Sequence, residues 1–286
     1  MTLSVVPEPR SALWRAGRFC IDLSRPQVMG IVNVTPDSFS DGGRGAGQAL
    51  AYCEQLLMQG ADLLDIGGES TRPGAAAVPL EVEIERVLPV IRHAVTLGVP
   101  VSVDTCKPEV MRAALDAGAD IINDVLALQA AGAIDVVAAH SHCGVCLMHM
   151  QGDPRTMQQA PQYGDVVGEV CDFLAGRAGM LCAAGVGGDR IVLDPGIGFG
   201  KTVEQNFALL PGQQALLALG YPVLAGWSRK SSLGAVTGRA VADRMVPSVA
   251  AALAAVAWGA RIIRVHDVAD TVDALKIWRH AGLCCT

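Results

Sequence analysis

Eight short apolar runs recur along the chain, and each ends in, or runs directly into, a polar residue that packing alone does not select. The ends are Asn33, Asp65, Asp104, Asn123, Met148-His149, Asp194, the Ser228-Arg229-Lys230 turn and Arg264-Val265-His266. Runs of this length predict strands at residues 28–33, 63–66, 101–104, 121–123, 144–148, 191–194, 223–226 and 261–265. Stretches with helical periodicity lie between them, near 48–59 and 81–97 for the first two. Thr105 is the expected cap of the third helix, with Pro108 in its first turn. Thr202 and Gln205 have capping-box spacing. Asp267 and Asp270 suit the start of a last helix that ends near His280. The steady alternation predicts an α/β fold, a (β/α)8 TIM barrel with its site at the carboxyl ends of the strands. Residues 18–23 alternate like one arm of a short N-terminal β-hairpin that plugs or flanks the barrel bottom. No linker interrupts the pattern, so residues 1–286 read as a single domain, with the barrel proper at about 28–280.

Composition narrows the picture. The chain is 51% hydrophobic but only 4% aromatic, so Leu, Val, Ile and Ala must build the core. That suits parallel strands covered on both faces. A net charge of −6 argues against nonspecific nucleic-acid binding while leaving room for a local phosphate pocket. No stretch reaches the 18 or so apolar residues of a membrane span, and residues 249–260 read as a buried helix. The amino terminus lacks the basic-then-apolar order of a secretion signal. Nine scattered cysteines are what a reduced, cytoplasmic interior permits.

The strand ends carry the candidate chemistry. Asp104, Asn123 and Asp194 close three strands around one rim, where a lone Asp reads equally as a helix cap but three together match a planar ligand rich in N–H donors. Asp65 reads either as a structural group or as a support behind that rim. Arg264 and His266, two apart on an extended segment, share a face beside the last helix start, where barrels of this kind hold phosphate. Ser228, Arg229, Lys230 and Ser231 add a hydroxyl-bearing, cationic helix start, and Lys201 and Lys230 stand out among only four lysines. Loop one, residues 33–43, combines oxygen ligands, a phenyl ring and glycines. It has the makings of a cover over substrate, with Asn33 a reasonable Mg²⁺ ligand. The His140–His149 segment mimics a zinc cluster, yet strand phase turns Cys146 and His149 to opposite faces.

The run Met29-Gly-Ile-Val-Asn-Val-Thr-Pro-Asp-Ser-Phe-Ser-Asp-Gly-Gly43, with Asp65-Ile-Gly-Gly-Glu-Ser-Thr-Arg-Pro-Gly74, resembles the two signature loops of the dihydropteroate synthases. Asp104-Thr105, Ile122-Asn123-Asp124, Leu147-Met148-His149-Met150, residues 194–201, Ser228-Arg-Lys230 and Arg264-Val-His266 agree. The resemblance implies a homodimeric, magnesium-dependent transferase of folate biosynthesis. It would join 6-hydroxymethyl-7,8-dihydropterin diphosphate to 4-aminobenzoate and be inhibited by sulfonamides. It further implies that Asp104, Asn123 and Asp194 bind the pterin edge, Lys230 its carbonyl side, and that Met148 and Gly226 line the pocket. Arg264 and His266 would hold the diphosphate, with Asn33 meeting Mg²⁺ and Asp37 in the catalytic set. Thr71, Arg72 and Pro73, with Phe199, Lys230 and Ser228, would shape the aminobenzoate site. Phe199-Gly200-Lys201 carries no insertion, as expected of a sulfonamide-sensitive form. A folate–corrinoid methyltransferase and a noncatalytic pterin-binding paralogue share the carboxylate pocket and are the alternatives at this point.

Overall fold

The computed structural model describes residues 12–35, 45–71, 74–152, 157 and 161–283. An antiparallel hairpin, β1 (Leu13–Ala16) and β2 (Phe19–Asp22), comes first. Eight parallel strands follow: β3 (Gln27–Asn33), β4 (Leu63–Gly67), β5 (Val101–Asp104), β6 (Ile121–Asp124), β7 (Gly144–Met148), β8 (Ile191–Asp194), β9 (Leu224–Ala225) and β10 (Ile262–Val265). The intervening and final helices are α1 (Gly45–Met58), α2 (Leu80–Thr96), α3 (Pro108–Asp116), α4 (Ala133–Ala139), α5 (Val166–Ala183), α6 (Val203–Ala218), α7 (Ser231–Thr237), α8 (Met245–Ala257) and α9 (Val268–His280). The strand order is β8-β7-β6-β5-β4-β3-β10-β9. A parallel bridge between Leu193 and Val223 joins the two ends, and Leu193 N–H donates to Pro222 O at 2.9 Å. The result is the expected (β/α)8 barrel.

The period-two alternation of the strands sorts their apolar residues into two cores. Val28, Val32, Leu64, Ile66, Val101, Val103, Val145, Leu147, Ile191, Leu193, Ile263 and Val265 face outward and pack with the helices. Met29, Leu63, Ile121, Cys146, Val192, Leu224 and Ile262 fill the lower barrel, joined by Trp14, Ala16, Ile21 and Leu23 of the hairpin segment. Burying each such side chain stabilises the fold by about 1.5–3 kcal/mol. The Trp14 indole N–H donates to Arg190 O at 2.9 Å. Arg18 fastens the hairpin by a forked bond to Asp120, through Nε at 3.0 Å and Nη2 at 2.8 Å. Gly17 makes this approach possible, since its φ is +57° and an added Cβ would lie 2.3 Å from Asp120 Oδ1. The hairpin therefore plugs the bottom and leaves the strand carboxyl ends open.

Three local expectations need correction. The seventh barrel strand shrinks to Leu224–Ala225, because Pro222 brings no N–H to the ladder and Val223 divides its pairing between Leu193 and Arg261. Thr105 does not cap α3, whose N-cap is Lys107. The Thr105 hydroxyl instead donates to Glu83 Oε1 at 2.6 Å. Asp267 occupies the N-cap of α9 without a capping side-chain bond, because its carboxylate is held by Arg229 at 2.5 and 3.1 Å. The capping box at Thr202 and Gln205 is present as its spacing requires.

Candidate active site

The same alternation that fills the lower barrel with Met29, Leu63 and Ile262 puts Asn33, Asp65 and Arg264 farther up the inner wall. Register then sets neighbours. Asp104 pairs with Asn123 across β5 and β6, and Met148 with Asp194 across β7 and β8. A polar rim is thus written into the strand ends, two residues above the apolar lower barrel.

Arg264 organises the centre of that rim. Its Nε donates to Asp65 Oδ2 at 2.6 Å and its Nη2 to Asp104 Oδ2 at 2.7 Å. Asn123 Nδ2 also donates to Asp65 Oδ2, at 3.2 Å. Asp65, left open by the sequence, is therefore the fully buried counter-ion behind the rim. Arg264 and His266 have different protein partners: Arg264 bonds to the carboxylates, while His266 Nδ1 lies 2.9 Å from Ser228 Oγ. That hydroxyl also accepts the His266 backbone N–H at 3.1 Å.

Asp104 Oδ1 is buried and has no hydrogen-bond partner among the described residues. Burial pushes this carboxyl up to about 7 in spite of Arg264, with Asp65 adding to the rise. Burial likewise raises Asp194, against the Gly196 amide and the Lys230, Arg264 and Lys201 cations. An acceptor left in that condition is matched by ligand N–H donors. Lys230 is pushed down to about 8 by burial and by Arg264, and its Nζ sits 4.0 Å from the centre of the Phe199 ring.

The opposite wall is apolar. Val125, Met148, Met150, Met157 and Phe199 form a separate buried cluster, with Cys106 and Leu126 against it. The site thus offers carboxylates on one side and soft thioethers on another, surroundings that suit a flat ring with a donor-rich edge. A Cβ built on Gly226 meets no atom within 4 Å, so this residue leaves open space at the β9 exit.

Lys201 departs from expectation. It belongs to no anion site. Its Nζ is buried among the carbonyls of Gly196 and Phe199, each at 3.0 Å, that of His149 at 3.3 Å, and His149 Nδ1 at 3.0 Å. The Cys/His segment also disperses: Cys146 lies in the barrel interior, Cys143 donates to Gly144 O at 3.1 Å, and His149 packs edge-on to Phe173. Arg229, taken with the cationic helix start, points instead to Asp267.

One supporting network escaped the sequence reading. Lys107 Nζ bridges Glu69 and the fully buried Glu83, Arg86 donates to Gly68 O at 2.8 Å, and Glu69 Oε1 accepts the Val78 N–H at 3.1 Å. Its signal was present: Glu83 falls on the face of α2 that buries Val87, Val90, Ile91 and Ala94. The network underlies the segment that carries Thr71, which is partly buried. Asp37, Arg72 and Pro73 lie outside the described residues.

Residues 29–266 match the family model described as "Pterin binding enzyme". A dihydropteroate synthase of Neisseria meningitidis serogroup B is 54% identical over 279 residues, covering 95% of this chain and 98% of that one. The Xanthomonas albilineans dihydropteroate synthase solved with 4-aminobenzoic acid is 52% identical, with a TM-score of 0.88 over 94% of this chain and 98% of that one. That of Burkholderia cenocepacia, complexed with 7,8-dihydropteroate, is 51% identical, with a TM-score of 0.86 over 95% and 96%.

Proposed function

The chain belongs to the dihydropteroate synthase family, and from that premise we propose how its rim carries out the reaction. It is a transferase that condenses 6-hydroxymethyl-7,8-dihydropterin diphosphate with 4-aminobenzoate, giving 7,8-dihydropteroate and diphosphate. The observation that carries the assignment of parts is the buried, unpartnered Asp104 Oδ1 beside Asn123 on the rim. The amino-amide edge of a pterin presents parallel N–H donors to the open Asp104 Oδ1 and to Asp194, and Asn123 supplies a mixed amide partner. Lys230 serves the pterin carbonyl side, Met148 and Gly226 line the pocket, and Arg264 packs along the ring.

The diphosphate then lies toward Arg264 and His266, the latter oriented by Ser228. Asn33, at the end of β3 and only partly buried, offers one neutral side-chain oxygen at this end of the site. One such ligand plus diphosphate oxygens and water fits Mg²⁺. When bound there, Mg²⁺ supplies charge neutralisation to the leaving group. The bond from the pterin methylene carbon to the diphosphate oxygen breaks with its electron pair going to diphosphate. The ring, held by Asp104, Asn123 and Asp194, spreads the developing cation, and the cationic side chains neutralise the departing charge. The arylamine nitrogen then bonds to the methylene and sheds a proton. Phe199, Lys230, Ser228 and Thr71, with Arg72 and Pro73 assigned from sequence alone, surround that second substrate and keep water away, and Asp37 keeps its sequence assignment to the catalytic set.

The test is diphosphate release measured with and without 4-aminobenzoate, in Mg²⁺ or in EDTA. Release that requires Mg²⁺ and matches dihydropteroate one for one is expected. Release unaffected by EDTA sinks the metal assignment, and release without product sinks the arylamine site.

Ser228→Ala is expected to raise the KM for 4-aminobenzoate about tenfold, because the hydroxyl assigned to that substrate is lost, with a smaller rise in the KM for the pterin diphosphate as His266 loses its partner. Equal change in both KM values would remove Ser228 from the arylamine side. Phe199-Gly200-Lys201 is continuous, so sulfamethoxazole should compete with 4-aminobenzoate at a Ki comparable to its KM. A Ki far above that KM would refute sensitivity.

The reading extends to assembly and place. Val236, Val241 and Val246 are exposed apolar side chains close in sequence around α7 and α8, a surface suited to a second copy of the chain. Light scattering should give twice the 29.7 kDa chain mass, and a monomeric mass would rule this out. The described cysteines are free thiols, and among the described residues no helix is long and apolar enough to cross a membrane. Both features suit a cytoplasmic enzyme.

A further inference from the structure

The buried lysine of the β8 exit has no task in the reaction as written above. An ammonium group that is 2% exposed is costly unless its N–H groups are fully engaged. Lys201 meets that condition with neutral acceptors alone, and they belong to two rim loops: His149 after β7, Gly196 and Phe199 after β8. The His149 ring can accept because it is uncharged, held down to about 3 by burial and by Lys201 itself. The two loops are pressed together as well. His149 N–H donates to Asp194 O at 3.0 Å, and a Cβ on Gly196, whose φ is +69°, would fall 1.9 Å from His149 O.

Two of the three carbonyls held by Lys201 lead to substrate-facing groups. Gly196 gives its carbonyl to Lys201 and its N–H to Asp194 Oδ1 at 2.7 Å, so the lysine anchors the residue whose N–H aims the carboxylate. The Phe199 carbonyl is held at 3.0 Å, and its ring lies under Lys230 Nζ. We infer that Lys201 is a positioning residue for both substrates, acting on the pterin through Gly196 and Asp194 and on the arylamine through Phe199. The inference rests on the pterin reading of Asp194. Lys201 also acts through charge, since it joins Lys230 and Arg264 in opposing the effect of burial on Asp194. Asp65 and Asp104 bind Arg264, and Asp124 and Glu83 act on Asp104 in turn.

The test uses the full chain with Lys201→Met, which keeps the stem and removes the ammonium. A displaced Asp194 and Phe199 should raise both KM values and lower kcat/KM by about 100-fold, the scale of a 1 Å misplacement. In an Asp104→Asn background, where the acid limb of kcat/KM for the pterin diphosphate belongs to Asp194, Lys201→Met should move that limb to higher pH, because a cation has been taken from beside Asp194. Loss of active fraction with both KM values and the acid limb unchanged would overturn the inference and leave Lys201 a packing residue. Asp194→Asn is measured alongside: if it binds the pterin diphosphate as tightly as the parent, the pocket reading fails first. If Asp194→Asn is impaired and Lys201→Met is normal, the positioning inference alone fails.

A second measurement needs no variant fold. The chain has four lysines, so ¹³C-labelled lysine gives four side-chain signals. Binding of the pterin diphosphate should move those of Lys201 and Lys230 and leave exposed Lys276 in place. A shift at Lys230 with none at Lys201 would overturn the coupling.

Discussion

Asp104→Asn is expected to lower kcat/KM for the pterin diphosphate by about 100-fold or more, on the order of 3 kcal/mol of transition-state stabilisation. The replacement has nearly the same shape and can still accept the Arg264 Nη2–H that Asp104 receives at 2.7 Å. Its NH₂ group, however, now faces the ligand where Asp104 Oδ1 stood unpartnered. Two donors meet, and one must give up water without return. The pH dependence should change with it. The Asp104 carboxyl, raised to about 7 by burial, takes a proton as pH falls through that value and loses an acceptor. Wild-type kcat/KM should therefore fall on the acid side of about pH 7, since this parameter reports groups of the free enzyme. Asp104→Asn should lack that limb and keep only the one due to Asp194, which burial also raises. A variant with wild-type kcat/KM, or one that retains the same acid limb, would remove Asp104 from pterin recognition.

Arg264→Met should destabilise the fold as well as stop the reaction. The guanidinium is the shared partner of Asp65 and Asp104, and Asp65 is fully buried. Removing one member of a buried ion set and leaving the rest charged costs about 3–5 kcal/mol. For a chain of this size that corresponds to a fall in Tm on the order of 10 °C. The methionine fills most of the volume, so the loss reports the charge imbalance. Adding Asp65→Asn to Arg264→Met should therefore recover part of the Tm and none of the turnover. Thermal melts followed by circular dichroism, with product formation measured in parallel, separate the two effects. If the single variant melts like the parent, the carboxylates are not held by Arg264. If the double variant regains activity, Arg264 does not serve the leaving diphosphate.

Both predictions concern residues that the chain advertises, but for different reasons. Asp104 is visible because an acid at the end of Val-Ser-Val-Asp defies the apolar run before it. Arg264 is visible for the same reason, yet its main contacts are 199 and 160 residues away in sequence. No local pattern announces such a pairing. Thr105 and Asp267 show the opposite failure: each has the residue type and place of a helix cap, and each is drawn off by a stronger long-range partner, Glu83 in one case and Arg229 in the other. A capping bond to a backbone amide competes poorly with a carboxylate–guanidinium fork or a buried carboxylate acceptor.

What the sequence determined by itself was the repeating unit, the barrel it closes into and the side chains placed around its rim. Alternation along a strand is a two-residue property and helix punctuation a four-residue one, so both are written locally; the signature loops added the family. Which charges meet was settled by the closed barrel and not by any local pattern. Asp65 became a counter-ion, His266 turned to Ser228, and Lys201 left the anion site for a cage of carbonyls. Those outcomes follow from burial, which removes water as a partner and forces each polar group onto whichever neighbour the closed barrel brings within hydrogen-bond reach.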